Sequence, residues 1–335
     1  MSLSIAILGA GRIGKVHAGA VSQTAGARLA AVADPLQANA DAVAALYGCR
    51  VTSIEEVAAA SDIDAVAICT PTDTHADLIE LFARAGKAIF CEKPIDLSLR
   101  RVRECLGVVA STGVPLMLGF NRRFDPHFSA LKTAIEDGRI GDVEQVVITS
   151  RDPGLPPLDY LPRSGGLFRD MTIHDFDMAR HLLSEEVESV FATASVLVDP
   201  MVAKSGDVDT ASIVLRTSSG RQAVITNSRR ASYGYDQRIE VHGSAGMVAA
   251  QNQHKANVVV ADATGYTQPP LQDFFMDRYA DAYRAEIATF LQNVRDGQPM
   301  NPSGEDGLRA LALAEAANRS LAEGRLVRVA EVLAD

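Results

Sequence analysis

Three glycines that follow a short apolar run constrain this chain more than any other feature. The run "LSIAILGA" has the branched apolar residues of a β-strand, and Gly9, Gly11 and Gly14 follow in G-x-G-x-x-G order before a segment with helical spacing. In such a turn the first glycine permits a tight bend, the second lets backbone approach a pyrophosphate, and the third allows close helix–strand packing. The helix N-terminus offers N–H groups to an anion. The pattern predicts a dinucleotide-binding turn.

An acidic residue at the end of the next strand bears on which dinucleotide binds. Asp34 closes "AVAD", twenty residues after Gly14. A carboxylate there accepts hydrogen bonds from both hydroxyls of the adenosine ribose and repels a 2′-phosphate. No Lys or Arg follows until Arg50. The sequence therefore favours NAD over NADP.

The order of strand-like and helix-like segments predicts two domains of different architecture. Repeated β-α units over residues 1–120 indicate an α/β Rossmann domain with a parallel sheet. Residues 121–335 indicate an α+β domain: a linking helix, a Pro/Gly-rich loop, a helix over about 170–183, and strands from 187 to about 262 that read as an open antiparallel meander. Two helices, near 274–297 and 304–323, close the chain, and the last can pack back on the first domain.

Composition excludes several classes of function. The chain has 335 residues, 47% of them hydrophobic, and a formal net charge of −10, which disfavours a nucleic-acid or membrane-surface partner. No apolar run is long enough to span a bilayer, and "MSLSIAILGAGRIG" lacks the features of a signal peptide. The four cysteines show no C-x-x-C spacing, so we expect buried free thiols and a cytoplasmic protein.

Two further strand ends carry polar residues to the edge of the parallel sheet where ligands bind. "CTPTDTHADL" places Thr70 and Pro71 at that edge, with Thr72, Thr74 and His75 close behind. These side chains could contact the cofactor; equally, Thr74 could only cap the helix that begins near His75.

The strand before "CEKP" delivers Glu92 and Lys93 to the same edge. A lysine directly after a buried strand is rarely an ordinary exposed surface residue. Lys93 is therefore a candidate functional residue. Pro94 stiffens the chain there, and either peptide isomer is compatible with the sequence.

A histidine-bearing segment in the second domain raises a different question. In "RDMTIHDFDMAR" and the residue that follows it, Asp170, His174, Asp177 and His181 fall on one stripe of a helix. The ordinary interpretation of such a stripe is a solvated face. A metal site is the competing chemical interpretation of Asp170 and His174, but catalytic zinc usually needs three protein ligands, and only Asp177 is near enough to be the third.

Five motifs together resemble one family. "GAGRIGKVHAGA", "CTPTDTHADL", "FCEKPIDLS", "GFNRRFDPHF" and "GGLFRDMTIHDFDMARHLL" are similar to the Gfo/Idh/MocA family of NAD(P)-dependent oxidoreductases, and within it to inositol 2-dehydrogenases. The resemblance runs from residue 3 to about 330. It implies that Lys93, Asp170 and His174 surround the hydroxyl that is oxidised, whereas Asp177 and His181 are ordinary helix residues. The candidate cofactor contacts at the strand ends and the glycine turn are Gly9, Gly11, Arg12, Ile13, Gly14, Asp34, Thr70, Pro71, Thr72, His75, Glu92 and Lys93.

The chemistry of alcohol oxidation agrees with that resemblance. A neutral histidine is a suitable base near pH 7, so we expect His174 to take the hydroxyl proton while Lys93 donates a hydrogen bond to the same oxygen. Asp170, one helical turn before His174, could hold a neighbouring hydroxyl and tune the imidazole. For a polyol, the second domain offers these candidate contacts: Asn121, Arg122, Asp152, Tyr233, Tyr235 and Tyr283. Tyr235 and Tyr283 could equally be packing residues.

The expected activity is the NAD-dependent oxidation of a cyclitol, most simply of myo-inositol to 2-keto-myo-inositol. Another inositol isomer or an aldose sugar is an alternative substrate, and a non-catalytic protein that senses NAD is an alternative of another class. The family forms dimers and often tetramers through the second-domain sheet, so the resemblance implies a homo-oligomer.

Overall fold

The chain forms two compact units whose boundary differs from the predicted one. The computed structural model describes residues 2–157 and 160–334. The first unit runs to Phe124 and also takes up Asp281–Leu311, whereas the second consists of Asp125–Ala280 and the chain from Ala312 onward. The segment that rejoins the first unit was assigned by sequence to a second domain of residues 121–335. It belongs to the first because its apolar side chains Ile287, Phe290 and Leu291 are part of that unit's core.

A six-stranded parallel sheet forms the centre of the first unit, which confirms the predicted Rossmann architecture. In the strand order β3-β2-β1-β4-β5-β6, successive strands are added on one side of β1 as far as β3 and on its other side from β4 onward. Dinucleotide-binding folds have the same change in strand order. Its central strands are almost completely buried, as their apolar sequences require. The strands are β1 Leu3–Leu8, β2 Ala27–Ala33, β3 Arg50–Val51, β4 Ala65–Ile68, β5 Ala88–Glu92 and β6 Leu116–Gly119.

Helices connect these strands, and local sequence signals explain where several of them begin and end. Ser53 and Glu56 form a reciprocal capping box at the start of α3, a short helix that periodicity did not reveal. Gly48 and Gly113 end α2 and α5 in the left-handed conformation. The helices are α1 Arg12–Gln23, α2 Gln37–Tyr47, α3 Ile54–Ala59, α4 His75–Arg84 and α5 Leu99–Thr112.

A seven-stranded sheet forms the second unit in the order β12-β11-β7-β10-β9-β8-β15. All neighbouring pairs are antiparallel except β7 and β10, so the predicted mostly antiparallel sheet is confirmed. The predicted meander is wrong at one point, because β7 lies between β10 and β11. The strands are β7 Val143–Arg151, β8 Val187–Ser195, β9 Thr210–Thr217, β10 Gln222–Ser228, β11 Asp236–Gly243, β12 Gly246–Ala250 and β15 Val327–Arg328; a separate hairpin pairs β13 Val260–Asp262 with β14 Gly265–Thr267.

Helices cover one face of this sheet and leave the other exposed. α9 packs against β7 and β10. On the opposite face, Phe191 and Val214 remain about 40% exposed (41% and 40%). The predicted closing helix near 274–297 is two helices, α11 and α12. The remaining helices are α6 Pro126–Glu136, α7 Leu161–Ser164, α8 Leu167–Asp170, α9 Thr172–Leu183, α10 Pro200–Lys204, α11 Phe275–Arg278, α12 Ala280–Asp296, α13 Gly304–Glu323 and α14 Val329–Leu333.

The structure bears on whether a helix could span a membrane and on the state of the cysteines. Within residues 2–157 and 160–334, no helix is both long and apolar enough to cross a bilayer. All four cysteines are buried and free, as predicted. Burial raises the pKa of the Cys69 and Cys91 thiols well above the ordinary value, an effect to which the charge of Glu92 adds.

Candidate active site

The glycine turn after β1 is built around two close backbone approaches. Gly9 has φ +89°, and a Cβ there would lie 2.7 Å from the carbonyl oxygen of Cys69. A Cβ at Gly14 would lie 1.8 Å from the carbonyl oxygen of Gly9. At Gly11 a Cβ would meet no protein atom within 4 Å, so the protein itself does not require glycine there. Open space at Gly11, directly before the N-terminus of α1, fits the approach of a pyrophosphate.

The Asp34 carboxylate is tied to this turn through the backbone. One oxygen accepts a hydrogen bond from the N–H of Ala10 at 2.6 Å, and the other accepts one from the N–H of Leu36 at 2.8 Å. Each carboxylate oxygen can accept a second hydrogen bond. Asp34 is therefore fixed in orientation and keeps acceptor capacity for vicinal hydroxyls.

The loop after β4 does not show the capping role that was one of the two predictions made for Thr74. The Thr74 hydroxyl lies 2.6 Å from the Thr70 hydroxyl and donates to the carbonyl of Pro71 at 2.7 Å, so its side chain does not cap α4. Thr72 begins a 3₁₀ turn, Thr72–Thr74. Thr70 and Pro71 follow β4 at the carboxyl end of the strand, as predicted.

His75 is buried and contacts two loops through its ring nitrogens. Its ring nitrogens lie 2.7 Å from the carbonyl oxygen of Pro94 and 2.8 Å from that of Thr70, and its side chain is 1% exposed. Both nitrogens are therefore occupied by protein carbonyls. The imidazole links the loop after β4 to the loop after β5 from inside the unit.

Glu92 and Lys93 end β5 at the same edge of the sheet. The Lys93–Pro94 peptide bond is cis. The Glu92 carboxylate lies 2.6 Å from Nε2 of His17. It also lies next to Gly119, where a Cβ would come within 3.1 Å of the Glu92 carboxyl group. The sequence analysis did not single out His17, although it lies within the quoted motif "GRIGKVHAGA".

The histidine-bearing segment of the second unit is not one continuous helix. Asp170 is the last residue of α8, and α9 begins at Thr172. The predicted helix over 170–183 is therefore interrupted at Met171. Helical hydrogen bonding nevertheless places His174 one turn further along, with its N–H donating to the carbonyl of Met171.

Burial overturns the interpretation of this stripe as a solvated face. Of residues 171–180, all are buried except His174, which is half-buried. Asp177 is completely buried, so it is not an ordinary exposed helix residue as predicted, and His181 is half-buried. The helix presents His174 as the polar side chain with partial access to solvent in this stretch.

A buried polar network holds the first turn of α9 on the sheet. The Asn227 amide donates to Asp175 at 2.8 Å, and the Thr172 hydroxyl donates to the Asn227 oxygen at 2.7 Å. All three side chains are at most 2% exposed. Hydrogen bonds between such buried groups are costly to lose, so they fix the orientation of the residues around His174.

Asp170 is held by two polar side chains that the sequence analysis missed. Arg229 donates to one carboxylate oxygen at 3.2 Å, and the Tyr160 hydroxyl donates to the other at 3.1 Å. The Arg229 side chain is 2% exposed. The buried guanidinium therefore forms a charge-assisted hydrogen bond with the Asp170 carboxylate. The sequence signal for Arg229 was its place in "NSRRASYGYD", directly before the tyrosines that were chosen instead.

The candidate substrate residues are divided between the units. Asn121, Arg122 and Tyr283, which the sequence analysis placed in the second domain, belong to the first unit. Asn121 and Arg122 are buried in the 3₁₀ turn Asn121–Phe124, and Tyr283 packs edge-on against His17. Asp152 follows β7 in the second unit, where its N–H donates to the Ser228 carbonyl at 2.9 Å.

The two tyrosines of "SYGYD" have different environments. The Tyr233 hydroxyl donates to Asp236 at 2.5 Å and accepts from Arg151 at 2.9 Å. Burial and the bond to Asp236 raise the pKa of this hydroxyl. Tyr235 is buried against Phe274 and Tyr279, so the packing interpretation describes its ring.

A cluster that could hold a metal occurs in the first unit, and not at Asp170 and His174, where a metal was only the competing interpretation. Among the residues that the structure describes, one group of three ligating side chains lies close enough together, namely His17, Glu92 and Glu286. Asp170, His174 and Asp177 form no such group within those residues.

Comparison with known proteins agrees with this arrangement. Residues 3–120 match the model of the oxidoreductase family with an NAD-binding Rossmann fold, and residues 128–249 match the GFO/IDH/MocA C-terminal domain. The chain is 64% identical to inositol 2-dehydrogenase of Rhizobium meliloti strain 1021, over 98% of this chain and 100% of that protein. It is 46% identical to myo-inositol 2-dehydrogenase of Thermotoga maritima, over 99% and 100%.

A solved structure with ligands extends the comparison. Scyllo-inositol dehydrogenase of Lactobacillus casei with bound NAD(H) and scyllo-inositol superposes with a TM-score of 0.92 at 30% identity, covering 98% of this chain and 100% of that chain. The family models cover most of the chain and the relatives cover nearly all of it. The first unit is an NAD-binding Rossmann domain, and the chain belongs to the Gfo/Idh/MocA family of oxidoreductases.

Proposed function

We propose that this chain oxidises myo-inositol to 2-keto-myo-inositol, converting NAD⁺ to NADH and releasing one proton. The observation that carries the proposal is the 64% identity, over 98% of the chain, with a protein named inositol 2-dehydrogenase. The residues that this chemistry needs are present: a strand-end lysine, and a histidine on a rigid helix one turn after a carboxylate.

The proposed cofactor contacts lie at the carboxyl edge of the parallel sheet. Backbone groups of Gly9, Gly11, Arg12, Ile13 and Gly14 hold the pyrophosphate, and Asp34 accepts from the ribose hydroxyls. Thr70, Pro71, Thr72, Glu92 and Lys93 shape the nicotinamide end, where His75 acts through the two loops it joins. Bound NAD⁺ supplies the carbon that accepts the hydride. Since Asp34 repels a 2′-phosphate, NAD is preferred over NADP.

In the proposed proton transfer, His174 accepts the proton of the reacting hydroxyl. Lys93 donates a hydrogen bond to the same oxygen and stabilises the negative charge that develops on it. Asp170, held in place by Arg229, accepts a hydrogen bond from a neighbouring substrate hydroxyl and tunes the His174 imidazole through its charge. Asn121, Arg122, Asp152, Tyr235 and Tyr283 are the further candidate contacts; Tyr233 is the weakest, because Asp236 and Arg151 already use its hydroxyl.

The test is NADH formation with purified protein and a panel of inositol isomers and aldoses. We expect myo-inositol to give the highest kcat/KM. His174→Ala should lower kcat by about 10²–10⁴-fold, as loss of a general base does. His181→Ala is the matched control, because it removes an imidazole from the same helix outside the proposed site. Near wild-type turnover by His174→Ala at pH 7 would show that His174 is not the base.

Lys93 needs its own variant. Lys93→Met keeps the length of the side chain but removes its charge and donors, and we expect a large fall in kcat. Lys204→Met, at an exposed position of α10, is the control. Equal loss in both variants would mean that the effect is not specific to Lys93.

A second candidate substrate is scyllo-inositol. The L. casei relative, 30% identical to this chain, was solved with that isomer bound. A wrong epimer leaves a buried polar group of the site unpaired, so the two isomers should differ strongly in kcat/KM. A higher kcat/KM for scyllo-inositol in the same panel would replace the first candidate with the second.

We also propose that the enzyme works as a cytoplasmic homo-oligomer, a dimer or a tetramer. The exposed sheet face that carries Phe191 and Val214 supports self-association, and four buried free thiols suit a reducing compartment. Light scattering of the wild type and of Val214→Glu tests the association. The particle that the variant forms in solution should have a lower molar mass than that of the wild type. A monomeric wild type would refute it.

A further inference from the structure

We propose that Glu286 is a neutral carboxylic acid that donates a hydrogen bond to the carboxylate of Glu92, and that Glu286 and His17 together position the Glu92–Lys93 turn. The role in positioning rests on the proposed function of Lys93, whereas the protonation state does not. Neither His17 nor Glu286 belongs to the residues proposed above to touch cofactor or substrate.

The three side chains converge inside the first unit from separate elements. His17 comes from α1, Glu92 from the end of β5 and Glu286 from α12. One polar atom from each lies within 4.8 Å of the others. The segment that carries Glu286 is the one that rejoins the first unit from far along the sequence.

The surroundings of the cluster offer little solvation. The side chains of His17 and Glu286 are 0% exposed, and that of Glu92 is 13% exposed. The rings of Phe90 and Tyr283 pack edge-on against His17, with centroids 4.9 and 5.6 Å away. Within the described residues, no N–H or O–H group donates a hydrogen bond to either oxygen of Glu286. A fully buried carboxyl group without donors cannot remain an anion at acceptable cost.

Electrostatics decide which carboxyl group holds the proton. Glu92 is the less buried of the two and already faces the His17 Nε2 atom at 2.6 Å, so it is the better anion. Burial, and then the charge of Glu92, raise the pKa of Glu286 well above its ordinary value. The other titratable groups near this cluster are the thiols of Cys69 and Cys91, which are neutral at physiological pH because burial raises the pKa of both well above its ordinary value.

A metal ion is the competing occupant of this cluster, and one distance argues against it. Ligands about 2.0–2.2 Å from a tetrahedral ion lie roughly 3.3–3.6 Å from each other. The His17 Nε2 and Glu92 Oε1 atoms are 2.6 Å apart, which is a hydrogen-bond distance. The spacing of this pair fits a hydrogen bond better than two ligands of one cation.

The position of Glu92 determines that of the residue after it. Its carboxyl group is held by His17 on one side and lies against Gly119 of β6, while His75 holds the carbonyl of Pro94 at 2.7 Å. A hydrogen bond from Glu286 adds a further restraint to the Glu92 carboxylate. Lys93 thus starts from a backbone that is fixed at both neighbouring residues.

Infrared spectroscopy of the full-length protein tests the protonation state directly. We expect the wild type at pH 7 to show a protonated-carboxyl C=O band that Glu286→Gln lacks. Glu80→Gln is the matched control, because Arg101 and Arg84 outweigh burial and hold the pKa of Glu80 below its ordinary value. If Glu286→Gln removes no such band, or if metal analysis finds one bound ion per chain that this variant loses, the proposal is overturned.

The pH dependence of stability provides a second measurement. A carboxyl group with a raised folded-state pKa binds more protons when folded than when unfolded, so its contribution to stability falls as pH rises above about 4.3, the ordinary value for Glu. Glu286→Gln removes this dependence. The Tm of the variant minus that of the wild type should therefore increase between pH 4.5 and 8, roughly the window above that value. A difference that is constant with pH would contradict the proposal.

A pair of variants tests the positioning role. Glu286→Gln keeps a donor for Glu92, whereas Glu286→Leu does not. We expect the first to retain kcat within about 3-fold and the second to lose about 10-fold or more, as one charge-assisted hydrogen bond implies, with little change in the KM for NAD. Equal kcat in the two variants would rule out positioning. An inactive wild type that still shows the infrared band would refute the proposed function and leave the proton assignment standing.

Discussion

The Asp34 carboxylate accepts a hydrogen bond from the backbone N–H of Ala10 at 2.6 Å, which joins the end of β2 to the glycine turn after β1. A single side chain thus links the residue expected to select the cofactor to the backbone expected to bind its phosphates. Changes at Asp34 should affect both properties together.

We expect Asp34→Ser to shift cofactor preference from NAD toward NADP. The variant loses charge-assisted acceptors for the ribose and loses the repulsion of a 2′-phosphate, so the ratio of kcat/KM for NAD to that for NADP should fall by about 10–100-fold. Steady-state kinetics with both cofactors measures the ratio. Asp41→Asn, on the exposed side of α2, is the control. An unchanged ratio would mean that Asp34 does not read the ribose.

Substitution of two glycines by alanine should separate folding from cofactor binding. At Gly14 the new Cβ would overlap the Gly9 carbonyl oxygen, so we expect Gly14→Ala to lower the free energy of unfolding by about 1–3 kcal/mol or more. At Gly11 it meets no protein atom within 4 Å. Gly11→Ala should therefore keep the Tm of the apo protein but weaken NAD binding, as calorimetry can measure. Tight NAD binding by this variant would place the pyrophosphate elsewhere.

The network under α9 should contribute measurably to stability. Asp175→Ala leaves the buried Asn227 amide without its carboxylate partner, and we expect the free energy of unfolding to fall by about 1–3 kcal/mol. Urea denaturation measures this change. The double variant Asp175→Ala/Asn227→Ala should cost less than the sum of the two single variants, because the two groups interact. Additive losses would show that the contact carries no coupling.

Acid should destabilise the first unit partly through Asp306. Burial alone would raise its pKa, but the charge of Arg123 and hydrogen bonds from Ser303 and Arg123 hold the pKa well below the ordinary value. A depressed folded-state pKa contributes stability above about pH 3.9, the ordinary value for Asp, and that stability is lost as pH falls toward the folded-state pKa. We expect Asp306→Asn to be less stable than the wild type at pH 6, with the difference shrinking below pH 4 in denaturation experiments. A constant difference would assign the loss to packing.

Local patterns were enough to predict most of the parallel sheet of the first unit, because its turns and strands depend on short-range rules. The close approaches at Gly9 and Gly14 and the strand-end positions of Asp34 and Glu92 follow from strand and helix periodicity. The packing of Asp281–Leu311 into the first unit could not be predicted in this way, because the local sequence of a helix does not specify which core its apolar face will join.

The site residues that were missed are those whose role depends on distant partners. Arg229 meets Asp170, and Glu286 approaches Glu92, across more than fifty positions of sequence. The solvated-face interpretation of Asp177 was wrong for the same reason, since a charge pattern on a helix does not record what covers it. Contacts between residues so far apart in sequence form only when the helices and strands pack together.

The parallel pairing of β7 with β10 has a consequence for how the second unit assembles. Gln145 of β7 pairs with Gln222 of β10, and α9 and two further strands of the same sheet, β8 and β9, lie between them in sequence. Such a topology delays the gain from strand pairing until a long loop has closed, and it slows folding. On the ribosome, β7 emerges well before β10 and β11, so its backbone hydrogen-bonding groups stay unpaired until both neighbours have been made. During this interval the exposed edge of β7 is open to pairing with other chains.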